Sequence, residues 1–200
     1  MNFRPIFRIA PLALAMFALT PSTASAHKLR EQGVAVTIAD SSLTVTPARD
    51  WNRLDGHIGK HVESWTLDGG QLNDVTFYAG IEPGKPLLRE RSKKREPLPK
   101  FSAATLLVEL PELFEATYRS YKQIADFRVV DVQPARFLGQ DGVLFTYEYV
   151  DQDELTRQGE ANAAIIGGRL YMVSFDAPRL HYFARGIEDF RRIVETARLP

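Results

Sequence analysis

The sequence contains no cysteine, and this absence removes several classes of function at once. The fold must be stable without disulfide bonds, and neither thiol catalysis nor a cysteine-ligated metal site is open to it. The chain also lacks the glycine-rich phosphate loop of nucleotide-binding proteins and the G-x-S-x-G turn of serine hydrolases. No apolar run after residue 26 is long enough to span a bilayer.

An excess of basic residues is also missing. The 200 residues carry 25 Lys and Arg against 25 Asp and Glu, so the net charge is close to zero with histidines neutral. A protein that binds nucleic acid generally needs a basic surface to neutralise phosphates. Nucleic acid is therefore not an expected partner.

The beginning of the sequence has the pattern of an export signal. Arg4 and Arg8 form a positive segment, residues 9–19 form an apolar run, and Ala24-Ser25-Ala26 is typical of a cleavage site. The apolar run has about half of the ~20 residues that a membrane-spanning helix requires, which favours cleavage over an uncleaved anchor.

We therefore predict a signal peptide at 1–26 and a single domain at 27–200, with a mature chain that begins at His27. No cysteine follows the apolar run, so lipid attachment at that position is excluded. The expected location is the periplasm or the exterior of the cell, with no integral membrane span after cleavage.

Three alternating apolar runs, at 142–150, 160–166 and 169–175, predict three β-strands. Gly167-Gly168 lies between the last two runs. Two residues that tolerate positive φ at this spacing predict a tight antiparallel hairpin. Residues 127–137 predict another strand, at a sheet edge or with a bulge, because Pro134 within it has no amide hydrogen to donate.

Two helices complete the prediction. Ser102 is a candidate cap for a helix in two pieces, about 102–110 and 111–124, which Pro111 separates because it removes a backbone donor. A second helix is expected to follow Asp176-Ala177-Pro178, which has the pattern of a cap and an early-turn proline. The apolar stripe of this helix consists of Phe183, Ile187, Phe190, Val194 and Ala197. The expected fold class is α+β, an antiparallel β-sheet flanked by helices.

A connection of about twenty residues between 80 and 100 is unusually long for a small domain. Residues 89–96 hold five basic and two acidic side chains, a local charge of about +3. The basic residues of this loop are Arg89, Arg91, Lys93, Lys94 and Arg95. Two interpretations stay open: a solvated loop that crosses from sheet to helix, or a basic contact surface for an anionic partner or membrane headgroups.

Several short motifs follow the order of a known family. These are the strand at 42–47 that ends in Pro47, the nearby Trp51, the turn and strand at 139–149, and the hairpin entry at 168–171. Together with the closing helix around 190–194, they resemble the PsbP-like family. That family takes in the photosystem II extrinsic protein, a Ran-binding nuclear-import factor of yeast and many exported bacterial proteins of unknown function.

The resemblance implies an α/β/α sandwich around an antiparallel sheet, and a protein that usually binds other molecules instead of catalysing a reaction. It covers most of the chain after the signal peptide. Neither the photosystem role nor Ran binding carries over, because the residues of those sites have no match in this sequence.

Two histidines of the sequence are candidate metal ligands. His57 and His61 have the H-x-x-x-H spacing that brings two imidazoles together on a helix. Gly56 and Gly59 interrupt that helix, so loop histidines are expected and no metal or cofactor is predicted. A separate group could line a cleft between helix and sheet, or form the edge of the core: Tyr147, Tyr149, Arg169, Tyr171, His181 and Tyr182.

The predicted function is that of an exported, non-catalytic binding or accessory protein, whose partner is an envelope protein or a small ligand. One alternative is an envelope hydrolase or metal-dependent enzyme that uses His57, His61 and His181. A second alternative is a carrier of a small ligand or lipid, which requires an internal cavity.

Overall fold

An antiparallel sheet with a helix on each face forms the part of the chain that the computed structural model describes, residues 28–92, 94 and 97–200. The strands are β1 (Leu29–Arg30), β2 (Val36–Thr37), β3 (Thr44–Val45), β4 (Trp51–Arg53), β5 (Val62–Thr66), β6 (Asp74–Ile81), β7 (Phe127–Phe137), β8 (Gln140–Val150), β9 (Thr156–Ile166) and β10 (Arg169–Pro178). A 3-10 turn at Leu107–Glu109 leads into α1 (Leu110–Lys122), and α2 covers Tyr182–Thr196. The predicted signal peptide and His27 lie outside the described residues.

Within the described residues, eight strands form one sheet in the order β1-β4-β5-β6-β10-β9-β8-β7. β2 and β3 form a separate two-stranded sheet. α1 packs on one face, where Phe114 contacts Phe145 and Tyr147 of β8. α2 packs on the other face, where Phe190 stacks on Phe175 of β10. The predicted α+β class and the helix–sheet–helix sandwich are confirmed.

The longest strands are joined by turns that the sequence specifies. Gly167 and Gly168 both have positive φ, 58° and 73°, and Ile166 pairs with Arg169 across them. Two consecutive residues with positive φ define a type I′ turn, whose twist matches that of the flanking strands. The predicted hairpin is therefore confirmed.

β7 is the last strand of the sheet, as the proline in its sequence predicted. Pro134 lies opposite Val143 of β8, and the register shifts between Val129 and Asp131. The irregularity thus lies several residues before the proline. Both features make the outer edge of β7 a poor template for another strand.

The prediction for the first helix was partly wrong. Residues 102–106 are not helical, and α1 starts at Leu110, so Pro111 lies in the first turn. A proline is tolerated there because the first amides of a helix have no carbonyl partner within the helix. The buried face contains Leu110, Phe114 and Tyr118.

The predicted start of the second helix was wrong. Residues 176–178 continue β10, where Pro178 pairs with Arg157 of β9, and α2 begins only at Tyr182. Asp176 is therefore not a helix cap but a fully buried strand residue. The predicted stripe is correct in outline: Ile187, Phe190 and Ala197 are buried, and Phe183 and Val194 pack partly buried against the same cluster.

A glycine on β9 makes room for the aromatic layer beneath α1. Gly159 pairs with Tyr147 of β8, and a Cβ at Gly159 would overlap the Tyr147 ring. Tyr147 in turn stacks on Phe127 of β7, with ring centroids 5.3 Å apart. The absence of a side chain at Gly159 thus allows the tyrosine ring to lie against the sheet.

The segment that follows α2 closes the fold against the two-stranded sheet. Thr44 and Arg198 form an antiparallel bridge, with backbone hydrogen bonds of 3.0 Å and 2.9 Å in the two directions. The Thr196 hydroxyl donates to the carbonyl of Thr46 and accepts from its amide. Residues 44–46 are therefore held by a part of the chain about 150 positions later.

The packing of α2 generates a stability prediction. Phe190 is fully buried, whereas the side chain of Arg192 is 62% exposed on the same helix. Phe190→Ala should lower the free energy of unfolding by ~3–5 kcal/mol, because it removes buried apolar area and leaves a cavity. Arg192→Ala, the matched control, should cost under about 1 kcal/mol. Urea denaturation measures both, and equal losses would contradict the placement of the helix.

Candidate functional site

A buried carboxylate on β10 collects polar groups from three other elements. Asp176 is fully buried, and its oxygens accept hydrogen bonds from the hydroxyls of Tyr149 (2.6 Å) and Tyr118 (3.1 Å) and from Nε of Arg157 (2.8 Å). Nζ of Lys122 lies 3.5 Å from the same carboxylate. Burial alone would raise the pKa of Asp176, but Lys122 and Arg157 hold it below the usual value. We call these five residues the Asp176 centre.

A second carboxylate lies beside the first on the neighbouring strand. Asp74 on β6 is the register partner of Asp176. It is half-buried, and its Oδ1 accepts a 3.1 Å hydrogen bond from the Thr76 hydroxyl. Burial and the charge of Asp176 raise the pKa of Asp74 to about 6. Like charges directly opposite each other destabilise a strand pair, so this arrangement departs from ordinary sheet packing.

A cavity of about 370 Å³ opens beside this carboxylate, and we call it the end cavity. It lies among the start of β6, the last turn of α1 and the β8–β9 connection. Its lining residues are Gly70, Gln71, Leu72, Asp74, Arg91, Tyr121, Lys122, Ile124, Tyr149, Asp151, Gln152, Asp153, Leu155 and Arg157. The volume is within the range of small-molecule sites.

A larger cavity of about 820 Å³ lies toward the other end of β6, between the long loop and the start of β5. We call it the basic groove. Its lining residues are His57, Gly59, Lys60, His61, Val62, Ile81, Glu82, Gly84, Lys85, Pro86, Leu87, Leu88, Arg89, Glu90, Pro97 and Lys100. Val62, Ile81, Leu87 and Leu88 are buried and give the groove an apolar floor.

Most of the positive charge in the basic groove is not neutralised by the protein. Among the described residues, Lys60, Lys85, Arg89 and Lys100 form no ion pair. The two acidic residues of the groove already have partners. Glu82 pairs with Arg169 at 3.0 Å, and Oε1 of Glu90 accepts the amide of Leu98 at 3.2 Å. Among the described residues, the lining therefore carries four positive charges, and only the Glu90 carboxylate is not already paired with another cation.

The loop that carries the predicted basic surface is anchored at several points. Pro86 bridges to Lys100, and Leu87, Leu88, Leu98 and Phe101 are buried. Arg89, Arg91 and Lys94 are exposed, whereas Lys93 and Arg95 lie outside the described residues. The loop brings Arg89 to the basic groove and Arg91 to the end cavity.

The structure does not bring the predicted cleft residues together. Tyr147 and Tyr149 are buried on the face that α1 covers, whereas Tyr171 is buried on the face that α2 covers. His181 and Tyr182 lie at the start of α2, where their rings meet edge to face at 5.3 Å. Arg169 lies at the start of β10 and pairs with Glu82, as described above. A single cleft lined by these residues is therefore not formed.

The three predicted histidines are also separated. His57 and His61 line the basic groove, and Nδ1 of His61 lies 2.9 Å from the carbonyl oxygen of Asp40. His181 follows the opposite end of β10. Across residues 28–92, 94 and 97–200, no group of three or more histidine or acidic side chains is arranged to hold a metal ion.

Sequence reasoning missed Asp74, Lys122, Arg157 and Asp176 as a group. A signal was present, because Asp176 and Arg157 interrupt segments that are otherwise apolar or strand-like. A buried charge in such a segment needs a partner. Asp176 lies 19 positions after Arg157 and 58 positions after Tyr118, so spacing along the chain does not reveal that these residues are in contact.

None of the helices in the described part of the chain combines the length and apolar composition needed to cross a membrane. No family model and no curated protein matches the sequence.

Among solved structures, cyanobacterial PsbP (CyanoP) from Synechocystis is similar with a TM-score of 0.54 and 10% identity, over 90% of this chain and 98% of that one. A protein of Bacteroides thetaiotaomicron is similar with a TM-score of 0.50 and 10% identity over 84% of this chain, which spans about half (49%) of that longer protein. The Ran-binding protein of Saccharomyces cerevisiae has a TM-score of 0.42 at 10% identity, over 84% and 96% of the two chains. The likeness to PsbP shows the fold, and it confirms the resemblance found in the sequence.

The raised pKa of Asp74 predicts an unusual pH dependence of stability. The folded value of about 6 lies above the ordinary value of 3.8, so the native state binds more protons than the unfolded state between these pH values. The contribution of Asp74 to stability therefore increases as the pH falls from about 7 toward 4. Asp74→Asn removes the repulsion and should stabilise the protein by roughly 2–3 kcal/mol at pH 7.5 but only by roughly 1 kcal/mol at pH 4.5.

Urea denaturation at the two pH values measures this difference. Asp141→Asn is the control, because the Asp141 side chain is 87% exposed and its ion-pair partner among the described residues is the exposed Arg136. The control should change stability little at either pH. A stabilisation by Asp74→Asn that is equal at pH 7.5 and 4.5 would show that Asp74 is not the responsible group.

Proposed function

We propose that this chain, which has the PsbP fold, is an exported binding or accessory protein that binds an acidic segment of another envelope protein in the basic groove. The observation that carries the proposal is the set of four Lys and Arg side chains around a cavity of about 820 Å³ that have no ion-pair partner in the described part of the chain. Unneutralised charge of one sign on a concave surface attracts ligands of the opposite sign.

The chemistry of the groove suits a peptide better than a free inorganic anion. Its floor is apolar, with Val62, Ile81, Leu87 and Leu88 at its base, while the cations come from three chain segments around it. A segment with alternating acidic and apolar side chains matches both features. The cations would pair with its carboxylates, and the floor would cover its apolar groups.

Both cavities carry charged side chains, which disfavours an apolar lipid as the ligand. A binding role also agrees with the separation of the histidines, since His57, His61 and His181 do not share one site. The proposed role is therefore recognition of a partner.

A binding experiment tests the groove. The probe is a fluorescent decapeptide of alternating Glu and Leu, and the readout is fluorescence anisotropy at low ionic strength. The triple variant of Lys60, Lys85 and Lys100 to Gln should weaken binding at least tenfold, because it removes three of the four unpaired charges. Binding by the unmodified protein should also weaken as salt rises, since screening shortens the Debye length to about 8 Å at 0.15 M.

The matched control replaces Arg49, Arg185 and Arg192 by Gln, which changes the net charge equally on exposed residues outside the groove. It should bind the peptide as the unmodified protein does. Equal losses in both triple variants would reduce the effect to net charge and overturn the groove as the site. Binding to anionic phosphatidylglycerol vesicles with no binding to the peptide would overturn a protein partner.

Export is the second part of the proposal, and it rests on the pattern of residues 1–26. Protein expressed with its full sequence in a Gram-negative host should be recovered from the periplasmic fraction with His27 as its first residue. N-terminal sequencing after osmotic shock checks both points. Recovery from the membrane pellet with residue 1 intact would contradict cleavage.

A further inference from the structure

The end cavity is lined by a carboxylate, Asp74, that has one side-chain hydrogen bond and no ion pair among the described residues. Oδ1 of Asp74 accepts the Thr76 hydroxyl, and Asp74 forms no ion pair with any described Lys, Arg or His. Asp74 is one of the residues that line the cavity, so a ligand bound there would contact it. A partly buried carboxylate without a counter-ion favours a ligand that supplies one.

The cations beside Asp74 are already engaged. Arg157 donates through Nε to Asp176 and through Nη1 to the carbonyl oxygen of Gln71, at 2.8 Å and 2.6 Å. Nζ of Lys122 donates to the Tyr149 hydroxyl at 3.1 Å and lies 3.5 Å from Asp176. An anionic ligand would have to displace these internal partners, so the cavity is not built for an anion.

The total charge around the cavity also favours a cationic ligand over an anionic one. Arg91, Lys122 and Arg157 contribute three positive charges, whereas Asp74, Asp151 and Asp153 on the wall and Asp176 beneath it contribute four negative ones. One positive charge from a ligand would balance the set. The cavity volume of about 370 Å³ leaves room for such a group with an apolar body.

The walls also suit a cation with an apolar body. The guanidinium of Arg91 lies over the Tyr121 ring at 4.9 Å from its centroid, which shows that this aromatic face accommodates a positive group. A ligand cation would have to displace Arg91 from the ring, but Arg91 is exposed, so this costs less than displacing the buried partners of Arg157. Leu72, Ile124 and Leu155 supply apolar surface nearby. The face of an aromatic ring attracts a ligand cation through the ring quadrupole.

We infer that the end cavity is a binding site for a small organic cation, a primary amine with an apolar or aromatic body, and that Asp74 is its counter-ion. The site lies at the opposite end of β6 from the basic groove, and it does not depend on the function proposed for that groove.

A set of three probes of similar size tests the charge preference: benzylamine, benzyl alcohol and benzoate, each titrated into the ¹⁵N-labelled full chain at pH 7.5. Benzylamine should shift amide signals around the cavity, including those of Gly70, Leu72 and Leu155, and should bind at least tenfold more tightly than the other two. Equal binding of all three probes, or shifts confined to other parts of the protein, would overturn the inference.

Substitution identifies the counter-ion. Asp74→Asn keeps the shape of the side chain and should reduce the affinity for benzylamine at least tenfold, with no loss for benzyl alcohol. Asp141→Asn, at the exposed start of β8, should leave all three affinities unchanged. An unchanged benzylamine affinity in the Asp74→Asn variant would assign the binding to another group. Since this variant is expected to be at least as stable as the unmodified protein, unfolding does not account for a loss.

A pH series adds an independent readout. The groups around Asp74 are Asp176 on β10, Arg157 on β9, Tyr147 and Tyr149 on β8, Tyr118 and Lys122 on α1, Tyr78 on β6, and Arg91, Asp151 and Asp153 on the cavity wall. The pKa values of Arg157 and of the four tyrosines are raised and that of Asp176 is lowered, so none of these six groups changes charge between pH 5 and pH 8. The affinity for benzylamine should fall severalfold between pH 7.5 and pH 5 as Asp74 takes up a proton. An affinity that does not change over this range would contradict Asp74 as the counter-ion.

Discussion

The contact between Asp176 and Arg157 joins more elements of this protein than any other polar contact described above. Both side chains are buried, and Arg157 extends the contact to the β5–β6 turn through the carbonyl of Gln71. The hydroxyls of Tyr118 and Tyr149 attach α1 and β8 to the same carboxylate. The position of α1 on the sheet, and with it the wall of the end cavity, depends on this charge being satisfied. Removing one partner would leave the other charge buried, and such losses typically cost about 3–5 kcal/mol.

The pair also explains why Asp74 can exist beside Asp176. Two carboxylates opposite each other on adjacent strands repel, and the cations of Lys122 and Arg157 offset only part of that repulsion, since the pKa of Asp74 stays raised. A buried ion pair alone is weak support for stability, and an apolar replacement is often as stable. The binding site inferred above for the end cavity would give the two acids and two bases at this end of the sheet a role beyond folding.

The parts of the fold that the sequence predicted are those with local causes. Gly167-Gly168 specifies its turn by backbone conformation alone, and the apolar spacing around Phe190 specifies the buried side of α2. Asp176 was misinterpreted because an acid two positions before a proline has the same local pattern at a helix start as at a strand end. Tyr171 was grouped with Tyr147 by residue type, whereas strand parity and register place the two rings on opposite faces. The candidate site depends on contacts between residues far apart in sequence, which neither periodicity nor composition contains.

The bridge between Thr44 and Arg198 determines when one part of the chain can finish folding. The two residues are 154 positions apart, so the small sheet of β2 and β3 lacks its last neighbour until almost all of the polypeptide has left the ribosome. A two-stranded ribbon of this size is marginal by itself in water. Contacts that span so much of a chain form late, because the entropy of closing the long loop comes before any gain from the contact. The β2–β3 ribbon therefore completes its contacts only when synthesis is nearly finished, and such late completion would be compatible with the export proposed above.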